Sequence, residues 1–135
     1  MNVILSIKPQ YANAIIAGEK KVEFRKLTFK REVKKVYIYS SAPEQRIIGY
    51  FIIEDIISDS PKGLWKKFKK VGVINEGDFF EYFSNKEIGY SIRIKSVKKF
   101  RNQLDPKQIF ADFVPPQSYM YCGEIESPRI AKSFK

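Results

Sequence analysis

The chain opens on a short apolar, β-branched run, NVILSIK (Asn2–Lys8), which predicts a buried first strand. PQYANAIIAG follows. Pro9 stands where a first helical turn tolerates it and Gly18 just past the last turn, so the two bracket a short helix with Tyr11, Ala12, Ile15 and Ile16 on its buried face. KKVEFRK then switches to period two. Val22 and Phe24 fall on one side and Lys21, Glu23 and Arg25 on the other, which predicts a strand with a polar face. LTFKREVK reads as a charged loop and KVYIYSS (Lys35–Ser41) as another strand, broken by Pro43. RIIGYFIIEDIIS (Arg46–Ser58) is a long β-rich run whose internal Gly49 predicts a bulge or sharp bend. Ser60-Pro61 starts a helical patch carrying Leu64, Trp65 and Phe68 among lysines, and NEGDFFEYFSNKE predicts a second short helix with Phe79, Phe80, Tyr82 and Phe83 mostly buried. IGYSIRIKSVKKF (Ile88–Phe100) alternates Ile88, Tyr90, Ile92 and Ile94 against Gly89, Ser91, Arg93 and Lys95, a strand with a basic outer face. DPKQIFADF predicts a helical turn, and VPPQSYMYCGEI a loop entering a last short strand.

Strands outnumber helices, and no repeat, low-complexity tract or linker breaks the 135 residues. The fold class expected is α+β, one domain over residues 1–135: a small, mostly antiparallel, partly closed β-barrel decorated by short helices, which hides its sheet edges.

Composition narrows the chemistry. Hydrophobic residues make up 44% and aromatics 15%, enough for a globular core. The formal charge of +10 points to an anionic partner, with nucleic acid ahead of a phosphorylated metabolite or a membrane surface. There is no histidine, which removes the commonest general base, the serine and cysteine catalytic pairs that depend on it, and most zinc sites. Chemistry here must use Lys, Glu, Asp, Tyr, Ser, Thr or a bound water; neither a metal nor a cofactor is expected. The single cysteine, Cys122, rules out an intramolecular disulfide and fits a reducing cytosol. The N-terminus lacks the basic segment and apolar length of a signal peptide, and no run approaches the roughly 18 apolar residues of a membrane span. A cytoplasmic protein without membrane contact is expected.

The densest charge pattern is GEKKVEFR. A turn at Gly18 and Glu19 can project Lys20 out of strand parity, while Glu23 and Arg25, two residues apart on one strand face, can pair and fix the guanidinium. One reading is a solvated strand face with a weak surface ion pair. The other is the wall of a cleft, in which Lys20 offers a compact charge or, if desolvated, an amine of lowered pKa.

The pattern Gly-x-Lys-x-x-Glu-x-Arg, filled by Gly18, Lys20, Glu23 and Arg25 after a strand and a short helix, resembles the ASCH family of the PUA-like β-barrel superfamily. ILSIKPQYANAIIAGEKKVEFRK, VYIYSSAPEQRIIGYF and VPPQSYMY extend the likeness to a bacterial and archaeal stand-alone group and over most of the chain. The resemblance implies a β-barrel with a cleft lined by the motif residues, and RNA or a modified nucleoside as ligand. Lys20 and Arg25 would contact phosphate or base, and Glu23 would orient Arg25 or accept from a base amine. Some relatives are described as transcription regulators. One branch resembles an amidohydrolase that deacetylates acetylated cytidine with a Lys, a Thr and a Glu. Lys20 matches that lysine, but Glu23 stands at the threonine's position, a departure from the catalytic pattern. The cleft reading is therefore preferred, with an RNA- or nucleoside-binding function. An amidohydrolase using Lys20 and Glu23 is the first alternative, and a protein- or DNA-binding transcription regulator the second.

Other candidates carry a structural and a functional sense. Lys8, held extended by Pro9, either enters the helix or meets phosphate at the cleft. Ser40 and Ser41 either cap a turn or bind a ligand oxygen. Gln117 can read a base edge, and Tyr119 or Tyr121 can stack on a base or pack in the rim. WKKFKK and the run Arg93, Lys95, Lys98, Lys99 and Arg101 supply a field that steers an anion without choosing it.

Overall fold

The structure, a computed structural model, describes residues 1–125. In chain order it contains β1 (Asn2–Ile7), α1 (Pro9–Ile16), β2 (Val22–Arg25), β3 (Lys35–Ser40), β4 (Arg46–Asp59), α2 (Pro61–Phe68), α3 (Glu76–Tyr82), β5 (Gly89–Leu104), a 3-10 turn (Pro106–Gln108) and β6 (Tyr119–Cys122). Local chemistry sets the element starts. Pro9 and Pro61 open α1 and α2, the Ser60 side chain accepts from the Gly63 amide, and Asn75 Oδ1 accepts from the Asp78 amide at 2.8 Å.

The six strands form one mixed sheet in the order β2-β5-β4-β3-β1-β6. Only β1 and β3 run parallel; the other neighbours are antiparallel. The sheet curls into a half-barrel. Its inner face buries Val3, Leu5, Val36, Ile38 and Phe51 against Ala12 and Ile15 of α1, which plugs the curve. The outer face of the same strands is buried as well: Ile4, Tyr37, Tyr39 and Ile47 lie under Leu104 and the segment that follows β5. Burial on both faces is why NVILSI reads as an unbroken apolar run. A third cluster joins Val22 and Phe24 of β2 to Leu64, Phe79 and Phe83 of the helices, with the Phe24 and Phe79 rings edge-on at 4.9 Å.

Gly49 does what its position predicts. The β4–β5 register shifts between Ile47 and Gly49, and a Cβ on Gly49 would lie 2.3 Å from the Lys98 carbonyl oxygen.

Burial departs from simple alternation on two strands. The polar side of β2 is not wet, because Val22, Glu23 and Phe24 are all buried and only Arg25 is partly exposed. At the start of β5 the expected alternation is only partly kept: Ile92 is buried as expected and Tyr90 partly so, but the opposite side is covered too. Gly89 and Ser91 are buried, with Gly89 so close under Phe83 that a Cβ would sit 2.4 Å from the ring, while Ile88 is exposed. Further along, Arg93, Lys95, Lys98, Lys99 and Arg101 do form an exposed basic face.

The edge strands β2 and β6 do not pair with each other. The loop after β2 fills the seam: Phe29 packs edge-on against Tyr119 at 4.9 Å, and Tyr121 Oη accepts from the Lys30 and Arg31 amides at 3.1 and 3.2 Å. Among the described residues no helix is long and apolar enough to cross a membrane.

Candidate functional site

The turn between α1 and β2 builds the site. Gly18 ends the helix at φ +81°, a conformation that glycine adopts without strain. The Glu19 and Lys20 amides then both donate to the Ala14 carbonyl, at 3.0 and 3.1 Å, which turns Lys20 inward. Its side chain is only 2% exposed. Lys20 Nζ donates to the Gly72 carbonyl, lies 3.9 Å from Glu23 Oε1, and sits over the rings of Tyr11 and Phe24 at 5.1 and 5.0 Å. Burial pulls its pKa below the ordinary lysine value, and Glu23 opposes the shift.

Gly72 belongs to the α2–α3 connection and is packed hard against the Phe24 ring. The next residue, Val73, is β-branched yet sits at φ +49°, a strained left-handed conformation. The Lys21 amide ties the same loop down through the Val71 carbonyl at 2.8 Å.

From Glu23 the network runs on to Arg25. Glu23 Oε2 accepts from Arg25 Nη1 at 3.1 Å, Arg25 Nη1 also donates to the Ser6 carbonyl at 3.2 Å, and Nη2 donates to Ser118 Oγ at 2.9 Å. Arg25 thus ties edge strand β2 to the end of β1 and to the residue before β6, across the seam. The ion pair expected between Glu23 and Arg25 exists, but it is nearly buried and its guanidinium fork is already engaged.

These residues floor a cleft of about 760 Å³. Tyr11 and Lys8 approach from α1, Tyr82 from α3, and Pro115, Pro116 and Gln117 from the segment before β6. Of the residues singled out in the sequence, Lys8, Lys20, Glu23, Arg25, Ser41 and Gln117 line it together. Gly18 shapes the turn behind it. Ser40 is buried with its hydroxyl unpartnered among the described residues, and Tyr119 packs in the barrel seam against Phe29. The charged lining comprises three cations, Lys8, Lys20 and Arg25, and three carboxylates, Glu23, Asp78 and Glu81. The cleft is therefore formally neutral, and the basic excess of the chain lies outside it. Among the described residues no group of acidic, cysteine or histidine side chains could hold a metal ion.

A family model described as a domain of unknown function (DUF365) matches residues 1–113. The chain belongs to the DUF365 family. This DUF365 chain is 27% identical over 130 residues to an ASCH domain-containing ribonuclease of Zymomonas mobilis, covering 94% of the chain and 88% of that protein. The crystal structure of ASCH from Zymomonas mobilis superposes with a TM-score of 0.84 at 24% identity, covering 98% of this chain and 92% of that one. The N-terminal domain of Staphylothermus marinus McrB is more distant, at a TM-score of 0.50 and 16% identity over 80% of this chain and 78% of that one. The fold is accordingly the half-barrel of the Zymomonas mobilis ASCH protein, in keeping with the small, partly closed barrel expected from the sequence.

Sequence reading of the DUF365 chain missed the contributors from distant segments. Ser118 and the Ser6 carbonyl meet Arg25, the Gly72 carbonyl holds Lys20, and Tyr82 stands beside Glu23 and Arg25. Burial pushes the Tyr82 phenol up, Arg25 opposes and Glu23 adds to the shift. No periodicity marks these residues, since a helix-edge tyrosine and a loop glycine look the same whether or not they face a cleft.

Proposed function

We propose that this chain binds single-stranded RNA, seating one unpaired base in the cleft while the backbone follows the basic β5 face outside it. The carrying observation is the division of charge. The cleft is neutral and walled by Tyr11, Phe24 and Tyr82, as suits a base with polar edges. The exposed lysines and arginines of β5 and of α2 offer salt-dependent attraction to phosphates. The Zymomonas relative, by its name a ribonuclease, supports RNA as the polymer. The 135 residues would act as one ASCH domain with no cofactor.

The test is fluorescence anisotropy with a short labelled single-stranded RNA at low and near-physiological salt. Gln117→Ala should weaken binding at both salts with the salt slope unchanged. Lys98→Ala with Lys99→Ala should lower the salt slope by about one for each phosphate no longer neutralised. Wild type that fails to bind at low salt, or a Gln117→Ala protein that binds like wild type, refutes the reading.

A second reading, bond cleavage, is favoured by one observation: Lys20 is a desolvated amine of lowered pKa at the cleft floor. Its substrate would be the RNA chain or an acylated pyrimidine nucleoside. Shorter RNA on a denaturing gel, or free cytidine from acetylated cytidine, lost in Lys20→Met, is the outcome it requires.

A further inference from the structure

The cleft holds acceptors that nothing in the protein uses. Both oxygens of Glu23 are committed, one toward Lys20 and one to Arg25, and those two cations are in turn engaged by the Gly72 and Ser6 carbonyls and by Ser118. The cations of the floor are thus satisfied before a ligand arrives. On the α3 wall the situation is opposite. Asp78, Glu81 and Tyr82 stand at i, i+3 and i+4, hence on one helix face, and all three line the cleft. Asp78 receives the Asn75 side-chain amide at 2.9 Å. The Glu81 carboxylate pairs with no cation or donor among the described residues.

A ligand entering this cleft meets engaged cations at the floor, Lys8 and the Gln117 amide at the sides, and on the α3 wall a free carboxylate beside an aromatic ring. A phosphate is a poor complement to the α3 wall, where it would face Glu81 and Asp78 with like charge and have Lys8 as the one unengaged lining cation among the described residues. A base is the right one, if it offers donors. Uracil presents a single ring N–H between two carbonyls, and those carbonyls would oppose the carboxylate lone pairs. Adenine and cytosine each present one exocyclic amine. Guanine presents a ring N–H and an exocyclic amine side by side, spaced to meet both oxygens of one carboxylate as the guanidinium fork does.

We propose that Glu81 is the specificity-determining residue of the cleft and that it selects guanine. This rests on the reading of the cleft as a seat for an unpaired RNA base. The floor residues fix the cavity and the helix wall chooses the occupant. A site of this kind rejects the base that leaves its carboxylate unpaired more strongly than it rejects a mere change of shape.

The experiment is anisotropy at near-physiological salt with labelled pentamers UUGUU, UUAUU, UUCUU and UUUUU, and a fifth carrying inosine in place of guanine. Wild type should hold UUGUU on the order of tenfold more tightly than UUUUU. The inosine pentamer should fall between them, since it keeps the ring N–H and lacks the amine. Glu81→Gln, on an exposed helix face, keeps the side chain's shape; it should remove the guanine preference, so that UUGUU and UUUUU bind alike. Equal binding of all pentamers by wild type overturns the proposal while leaving RNA binding intact. A guanine preference that survives Glu81→Gln overturns it as well. If no pentamer binds at any salt, the RNA reading falls and this inference with it.

Discussion

Replacing Glu23 by Gln isolates the electrostatic centre of the site. The carboxylate is part of a side chain only 7% exposed, with one oxygen 3.9 Å from Lys20 Nζ and the other 3.1 Å from Arg25 Nη1. Gln keeps the shape and removes the charge. Arg25 retains the Ser6 carbonyl and Ser118, and it is partly exposed. Lys20 does not fare as well, for its buried ammonium is left with the Gly72 carbonyl and two aromatic rings. Breaking a buried ion pair by removing one partner costs about 3–5 kcal/mol. The long Lys20–Glu23 separation and the surviving hydrogen bond put this case near the lower end, about 3 kcal/mol at pH 7. In a chain of this size that lowers Tm by about 10 °C.

The loss must depend on pH in a definite direction. The folded-state pKa of Lys20 lies below its unfolded value because burial disfavours the ammonium. Between those two values the unfolded chain binds the extra proton, so this group's contribution to stability rises with pH across the window. Without Glu23 the folded-state pKa falls further and the window widens downward. The deficit of Glu23→Gln relative to wild type therefore shrinks as pH rises from 7 toward 10. Urea unfolding followed through Trp65, whose ring packs 5.1 Å from Phe79, reads both quantities. Adding Lys20→Met to the variant removes the stranded charge and should recover part of the loss, with a coupling of about 0.5–3 kcal/mol. A deficit under about 1 kcal/mol at pH 7, or one unchanged at pH 9.5, would show that Lys20 and Glu23 are not a buried, interdependent pair.

Two other perturbations test the frame around the site. Gly49→Ala places a Cβ 2.3 Å from a backbone oxygen of β5 and 2.9 Å from Ile16 Cδ1, neighbours that cannot both yield, so urea unfolding should show a loss of about 1–3 kcal/mol; unchanged stability would mean that the β4 bend is not fixed there. Glu124 is held below its ordinary carboxylate value chiefly by hydrogen bonds from Lys35 and Asn2, so its contribution is in full above pH 4.5 and is lost as pH falls through the folded-state value. The Tm difference between wild type and Glu124→Gln should accordingly close on acidification, and a difference that persists at pH 2 counts against a stabilising role for these hydrogen bonds.

Much of the architecture was legible because it is local. Pro9 and Gly18 bracket α1, Asn75 starts α3, and Gly49 marks the break in β4, each through a backbone requirement that one residue type meets. The sequence left open whether the charged face of β2 is solvated or lines a cleft. On β2 the alternation of Val22 and Phe24 with Glu23 and Arg25 is present, yet both faces are covered, one by the helices and the other by the α1 turn and the opposite sheet edge. At the head of β5, Phe83 folded over Gly89 covers a side expected to face solvent, while Ile92 stays in the core.

The sequence by itself determined the order of the elements, the motif that sets Lys20, Glu23 and Arg25 close together, and a net charge of +10, since spacing and composition are properties of neighbours along the chain. Only the tertiary structure decided what those charges face. It brought Gly72 to Lys20 across 52 residues and Ser118 to Arg25 across 93, and so turned a pattern of surface charges into a buried, self-satisfied network. It also set Asp78 and Glu81 on the opposite wall and left the cleft neutral within a basic protein. The physical reason is that desolvation and pairing depend on which distant groups pack around a side chain, and no local pattern carries that information.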